Sequence, residues 1–267
     1  MIGTSFANFS VRERINHGGM ADIYLAEDRA GQPFSLRVLL PEYRYRWGRI
    51  RQFRWGCKVL SQLDHPNIVH YLGEGKYGGQ RYAILEYVDG PNLKEKILRN
   101  DPQLRERQIQ ILLGMAAALA HVHEHGFIHL DFKPENVLVT KACDPKLVDF
   151  DLAIVRPARP KRVSSLSGTL SYWAPEQIAR QPVDERADIF AFGVTAYEML
   201  TGKKPVTGNT RREILAKYAE FDAHIKPLRV HVPDIQPWLE RIVLKCLEKE
   251  MDRRYPSMGL VVRDLQR

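Results

Sequence analysis

Apolar residues alternate with polar ones along the first third of the chain and recur at helical spacing along the rest. Phe9 to Asn16 and Asp22 to Ala26 read as extended segments around a Gly18-Gly19 turn, and Phe34 to Leu40 as a strand after the turn Ala30-Gly31-Gln32-Pro33. Gln52 to Leu63 predicts a helix weakened by Gly56. Asn67 to Leu72 and Arg81 to Val88 again read as strands, separated by Gly78-Gly79. Further on, Ile109, Leu112, Leu113, Ala116, Leu119 and Ala120 mark one face of a long buried helix. Ala187 to Leu200, closed by Thr201-Gly202, and Trp238 to Cys246 predict two more. A β-rich lobe followed by a helical one is an α+β plan. The expected division is one bilobal domain over residues 1–267: an N-lobe to about 87, a hinge at about 86–90 and a C-lobe from about 91.

Composition narrows the function classes. At 267 residues, 44% hydrophobic and 27% charged, the chain has the make-up of a globular domain. Its longest apolar stretch, Ile111 to Ala120, is interrupted by Gly114, so no membrane span is expected. Met1 to Arg12 lacks the pattern of a secretory signal. The three cysteines, Cys57, Cys143 and Cys246, have no metal-ligand spacing, and a reducing cytoplasmic setting with free thiols is expected. The formal charge of +8 suits an anionic partner. Basic residues from Arg44 to Lys58 interleave with Tyr43, Tyr45, Trp47, Phe53 and Trp55, and Arg156, Arg159, Lys161 and Arg162 form a second run. Such interleaving can serve nucleic-acid binding. A solvated helix face with its aromatics packed inward is the preferred reading.

The strongest chemical signal is His129-Leu130-Asp131-Phe132-Lys133-Pro134-Glu135-Asn136, followed by Asp149-Phe150-Asp151. Gly168-Thr169, Ala174-Pro175-Glu176, Asp188, Gly193 and Arg254 follow in order. The set resembles the catalytic loop, the metal-binding segment and the later motifs of protein kinases. Gly18-Gly19-Met20, His65-Pro66-Asn67-Ile68-Val69 and Glu86-Tyr87-Val88-Asp89-Gly90 make it most similar to the bacterial branch of eukaryotic-like Ser/Thr kinases. The resemblance covers essentially the whole chain. It implies a bilobal kinase fold with ATP and Mg²⁺ as cofactors. Asp131 would take or orient the proton of an attacking hydroxyl, with Lys133 beside the transferring phosphate. Asn136 and Asp149 would be ligands of Mg²⁺. Adenine would meet the backbone of Glu86 and Val88, with Leu85 guarding the back pocket and Asp89 near the ribose. Ala21, Ile23, Ser35 and Leu138 would line the sandwiching surfaces. Glu176 would pair with Arg254.

Several positions depart from the family's pattern. The glycine-rich loop is reduced to Asn16-His17-Gly18-Gly19-Met20-Ala21, which keeps only the middle glycine. Arg37 stands for the lysine of the third strand. A planar guanidinium cannot act as a compact ammonium between two phosphates, though it can reach them unaided. The glutamate that should pair with that lysine falls at Gly56, with Arg54 and Lys58 of the wrong sign nearby. The ion pair that aligns the nucleotide is therefore expected to be missing at both ends. Leu130 replaces the arginine before the catalytic aspartate, and would deprive an activation-segment phosphate of its docking cation. Ser164, Ser165, Ser167 and Thr169 are candidate phosphorylation sites or an ordinary polar loop. Asp151 replaces the glycine of the metal-binding segment; it would add a metal ligand or repel the triphosphate.

Three functions fit this sequence. The favoured expectation is a pseudokinase or very weak Ser/Thr kinase that binds Mg-ATP and acts on a protein partner. An atypical active Ser/Thr kinase acting on protein hydroxyls is the second. A basic nucleic-acid-binding module is the third and least expected, and no membrane partner is expected within this chain.

Overall fold

In the computed structural model the described residues are 2–3, 5–162 and 170–267. The positions Ser164, Ser165, Ser167, Gly168 and Thr169 lie outside them. The fold is α+β, with a curled sheet followed by a helical lobe, as the sequence pattern requires.

The N-terminal sheet has six antiparallel strands: β1 (Ser5–Phe6), β2 (Phe9–His17), β3 (Ala21–Glu27), β4 (Pro33–Leu39), β5 (Tyr71–Tyr77) and β6 (Gln80–Glu86), in the order β1-β2-β3-β4-β6-β5. Register puts Ile23 opposite Arg37 opposite Ala83, and Leu25 opposite Ser35 opposite Leu85. Cross-strand partners share a face, so Ile23, Ser35, Arg37 and Leu85 lie on one side. The other side carries Tyr24, Ala26, Phe34, Leu36 and Val38, which close a separate apolar cluster with Phe6 and Val11.

Helix α1 (Trp47–Leu60) crosses this sheet and buries Phe53, Gly56, Cys57 and Leu60, one face at helical spacing. It starts at Trp47 rather than Gln52; its first turn is solvent-exposed, so apolar periodicity gives no sign of it. The run Asn67 to Leu72 is only partly a strand. Ile68 and Val69 are buried because they pair with Leu147 in the helical lobe, and the sheet resumes at Tyr71. Gly78 and Gly79, at φ +56° and +84°, make the tight turn of the β5–β6 hairpin.

The second lobe holds α2 (Leu93–Leu98), α3 (Gln103–Glu106), α4 (Gln108–Glu124), α5 (Pro175–Ile178), α6 (Arg186–Thr201), α7 (Arg211–Ala219), α8 (Phe221–His224), α9 (Pro237–Cys246) and α10 (Met258–Leu265). Its core surrounds α4, where Ile111, Leu112, Met115, Leu119 and Val122 are all buried, and α6, most of which is buried. Helix α6 ends on Gly202 at φ +69°, the left-handed stop that glycine adopts without strain. Four short strands, β7 (Phe127–Ile128), β8 (Val137–Val139), β9 (Pro145–Leu147) and β10 (Ile154–Val155), pair as β7 with β10 and β8 with β9. They fix the loops at 129–136 and 148–153. Among the described residues no helix is long and apolar enough to cross a membrane.

Candidate active site

The loop at 129–136 is held from below by one buried carboxylate. Asp188, in the first turn of α6, is fully buried and accepts hydrogen bonds from the backbone nitrogens of His129 and Leu130, both at 2.8 Å, and from His123 Nε2 at 2.8 Å. Burial alone would push its pKa up; these donors outweigh it and hold the carboxyl below the ordinary aspartate value. The bonds stabilise Leu130 at φ +61°, a left-handed conformation that costs a non-glycine residue energy. The Leu130 side chain packs against the main core, as suits an apolar residue where the family has arginine. His129 Nε2 donates to Val148 O and its Nδ1 accepts from Asp131 N, each at 3.3 Å, so the imidazole ties the 129–136 loop to the segment that carries Asp149 and Asp151. Phe150 stacks edge-on against it at 4.9 Å.

Above this floor the candidate site side chains converge. Lys133 Nζ donates to Asp131 Oδ2 at 2.8 Å. Asn136 Nδ2 donates to the same carboxylate oxygen at 3.0 Å and to Asp131 O at 2.8 Å. Both amide hydrogens of Asn136 are thereby directed at Asp131, and its carbonyl oxygen is left as an acceptor. Asp149 sits at φ +63° with its side chain 41% exposed, open enough to take a ligand.

Arg37 crosses from β4 into this group. Its Nη1 donates to Asp151 Oδ1 at 2.8 Å, its Nη2 to Asp151 Oδ2, and Nη2 also reaches Asp149 Oδ1 at 3.4 Å. The pairing with Asp151 is two-pronged, the geometry in which a guanidinium holds a carboxylate best. Phe53 of α1 lies under the guanidinium, 5.0 Å from ring centre to Cζ. Burial opposes the charge on Arg37, but Asp151 and Asp149 outweigh it and raise its pKa. Burial pushes Asp151 up to about 6 against the pull of Arg37, with Asp149 adding to the rise.

This corrects the expectation that Arg37 lacks a carboxylate partner. The acid comes from residue 151 instead of from the helix, and Gly56 is the reason it fits. A β-carbon at Gly56 would overlap Asp151 Oδ1 and stand 3.2 Å from its backbone nitrogen. The residue that removes the helix carboxylate is the one that clears space for another. Taken separately, Gly56 reads as a lost carboxylate and Asp151 as an added metal ligand or a repulsive charge; their joint signal is a glycine on the helix together with an acid after Phe150.

The cofactor-facing residues named from the resemblance fall in three places. Ile23, Ser35, Arg37 and Leu85 share the inner sheet face, and Ala21 begins β3 beside them. Gly18 and Gly19 form the turn from β2 to β3, where Gly18 N donates to Ala21 O at 3.1 Å. Val88 is buried in the main core, and Leu138 packs against that core beside Asn92. The Glu86 carboxylate is bonded to Lys146 Nζ at 2.7 Å, and Asp89 pairs with Lys141 at the surface. Gly90 approaches the backbone of Val139 so closely that a β-carbon would overlap its carbonyl oxygen.

The donor set fits magnesium carried by a nucleotide. Mg²⁺ takes a few carboxylate or carbonyl ligands and completes its shell with phosphates and water. Asp149 and the Asn136 carbonyl oxygen are such ligands, and Arg37 occupies both oxygens of Asp151. Among the described residues no three His, Cys, Asp or Glu side chains gather as a self-sufficient metal site.

Further along, Glu176 and Arg254, both buried, join through two bonds of 2.8 and 2.7 Å, the pair the motifs imply. The sequence from residue 9 to residue 264 matches the protein kinase domain model. The chain belongs to the protein kinase family. The probable serine/threonine-protein kinase PknB of Lactococcus lactis is similar at 30% identity over 99% of this chain and 42% of its own length. Serine/threonine-protein kinase PrkC of Bacillus subtilis is 31% identical over 93% of this chain and 38% of its own length. Serine/threonine-protein kinase PknB of Mycolicibacterium smegmatis is 31% identical over 97% and 42%. This kinase domain thus spans about two-fifths of the length of these curated relatives.

Proposed function

We propose that this kinase domain is an atypical Ser/Thr protein kinase that binds Mg-ATP and transfers the γ-phosphate to protein hydroxyls, with Arg37 and Asp151 in place of the usual lysine–glutamate pair. The observation that carries the reading is the two-pronged Arg37–Asp151 bond in the space left by Gly56. Phosphoryl transfer depends on positioning and charge more than on covalent help, so a cation held at a fixed place is what the reaction asks of β4.

Bound Mg-ATP would supply the phosphoryl group and the divalent charge. Asp131, held by Lys133 and Asn136, accepts the proton of the attacking hydroxyl. Lys133 offsets negative charge beside that hydroxyl. Arg37, anchored on Asp151 and Phe53, brings its positive charge to the phosphate oxygens. Asn136 and Asp149 would hold the metal. Asp151 is a positioning residue, acting through Arg37, and not a metal ligand.

A pseudokinase is the competing reading. It is favoured by the 3.4 Å contact of Arg37 Nη2 with Asp149, which draws the cation towards the metal-binding acid. Transfer of labelled γ-phosphate from Mg-ATP to the chain itself and to a basic protein separates the two. An active domain gives labelling that Asp131→Asn lowers by about a hundredfold or more. Labelling absent from the parent, or unchanged in Asp131→Asn, would leave the pseudokinase reading standing.

A further inference from the structure

Behind the active site, on the side of α1 away from Asp151, lies an open groove of about 810 Å³. Its volume is in the range that admits several side chains of a ligand. Trp47, Trp55 and Val155 supply apolar surface; Trp47 is 85% exposed and Val155 61%. Among the described residues four cations stand around them, Arg51, Arg54 and Lys58 on exposed turns of α1 and Arg81 on β6, against a single acid, Glu74. Trp47, Arg51, Trp55 and Lys58 follow at spacings of four, four and three residues and so share one helix face. Among the described residues none of the four cations forms an ion pair. The groove wall is firm, because Trp55 Nε1 donates to Ala153 O at 2.6 Å and its ring meets Phe127 edge-on.

We propose that this groove binds an acidic peptide segment of a partner protein, with an aromatic or large aliphatic anchor among Trp47, Trp55 and Val155 and carboxylates against Arg51, Arg54, Lys58 and Arg81. Charge complementarity selects the acidic class. A concave apolar floor favours a side-chain anchor over a nucleic-acid strand, which wants a row of exposed ring faces along a backbone track. This surface accounts for Trp47, Arg51, Arg54, Trp55 and Lys58 without assigning them to the catalytic site.

The test uses a fluorescein-labelled synthetic peptide of aspartates around a pair of phenylalanines, read by anisotropy without nucleotide, so that it stands apart from phosphoryl transfer. Binding is expected to weaken by about tenfold or more in Arg51→Glu/Arg54→Glu and to weaken as salt rises. It should fall in Trp47→Ala, and be lost when lysine replaces aspartate or alanine replaces phenylalanine in the peptide. These substitutions are at exposed positions, and unchanged melting temperatures would show intact folds. No binding by the parent, equal affinity in the double charge reversal, or displacement of the peptide by single-stranded oligothymidine would overturn the proposal.

Discussion

At Gly56 the absence of a side chain is the structural fact on which Asp151 depends. A carboxylate in that small space can come from the helix or from residue 151, but not from both. Asp151 is 8% exposed and its two oxygens face one guanidinium, so neutralising it strands a buried cation. Breaking such a pair costs about 3 kcal/mol. Asp151→Asn should therefore lower the urea midpoint clearly, and should also reduce phosphoryl transfer by about tenfold or more through a less fixed Arg37. An unchanged midpoint would show that Asp149 alone satisfies Arg37. By the same geometry, restoring lysine at 37 and glutamate at 56 together is expected to be insufficient, because the new helix side chain collides with Asp151. None of this was open to local reading of the sequence, because Arg37 and Asp151 are 114 residues apart and no periodicity links them. What could be read was the identity of each departure, since the flanking motifs fix their places.

At the level of elements, α6 works as the support of the 129–136 loop, and its contribution titrates. Asp188 is held below its ordinary value in the fold, so the stabilisation is fully present above the unfolded value of about 4 and is lost as pH falls through the lower folded one. Urea midpoints measured down the acid limb should fall for the parent. Asp188→Asn should start lower at neutral pH and show a shallower fall; an equal acid slope in both would contradict this role. Arg254, beside the turn that leads into α10, clamps the α5 segment through Glu176. With both partners buried, Arg254→Met should cost about 3–5 kcal/mol by leaving Glu176 unpaired. The double variant Arg254→Met/Glu176→Gln should recover part of that loss in chemical denaturation. Long helices such as α4 and α6 were legible because their apolar spacing is local. The start of α1 at Trp47 and the shift of the fifth strand to Tyr71 were not, because exposed turns lack periodicity and Ile68 is buried by a partner in the other lobe.

Across the whole molecule, the sheet supplies Arg37, the helical lobe supplies Asp131, Lys133 and Asn136, and the segment between β9 and β10 supplies Asp149 and Asp151. A ligand that meets all three should stabilise the domain by mass action. Mg-ATP is expected to raise the melting temperature, Asp149→Asn to remove the magnesium-dependent part of the rise, and Arg37→Ala to reduce the rise with or without the metal. A shift of equal size in all three proteins would place the nucleotide elsewhere. The two-lobed plan and the order of motifs were visible from the residues alone; the contact between the lobes that rebuilds the ion pair was not, since it exists only once they are folded together.

The most direct test of the relocated pair is a double-mutant cycle on phosphoryl transfer with Gly56→Glu and Asp151→Gly. Each single variant is expected to lose about tenfold or more, one by crowding Asp151 and the other by leaving Arg37 without its anchor. The double variant should return to within a few-fold of the parent, because glutamate then reaches Arg37 from the helix. Transfer by Asp151→Gly equal to the parent, or losses in the double variant that simply add, would contradict it.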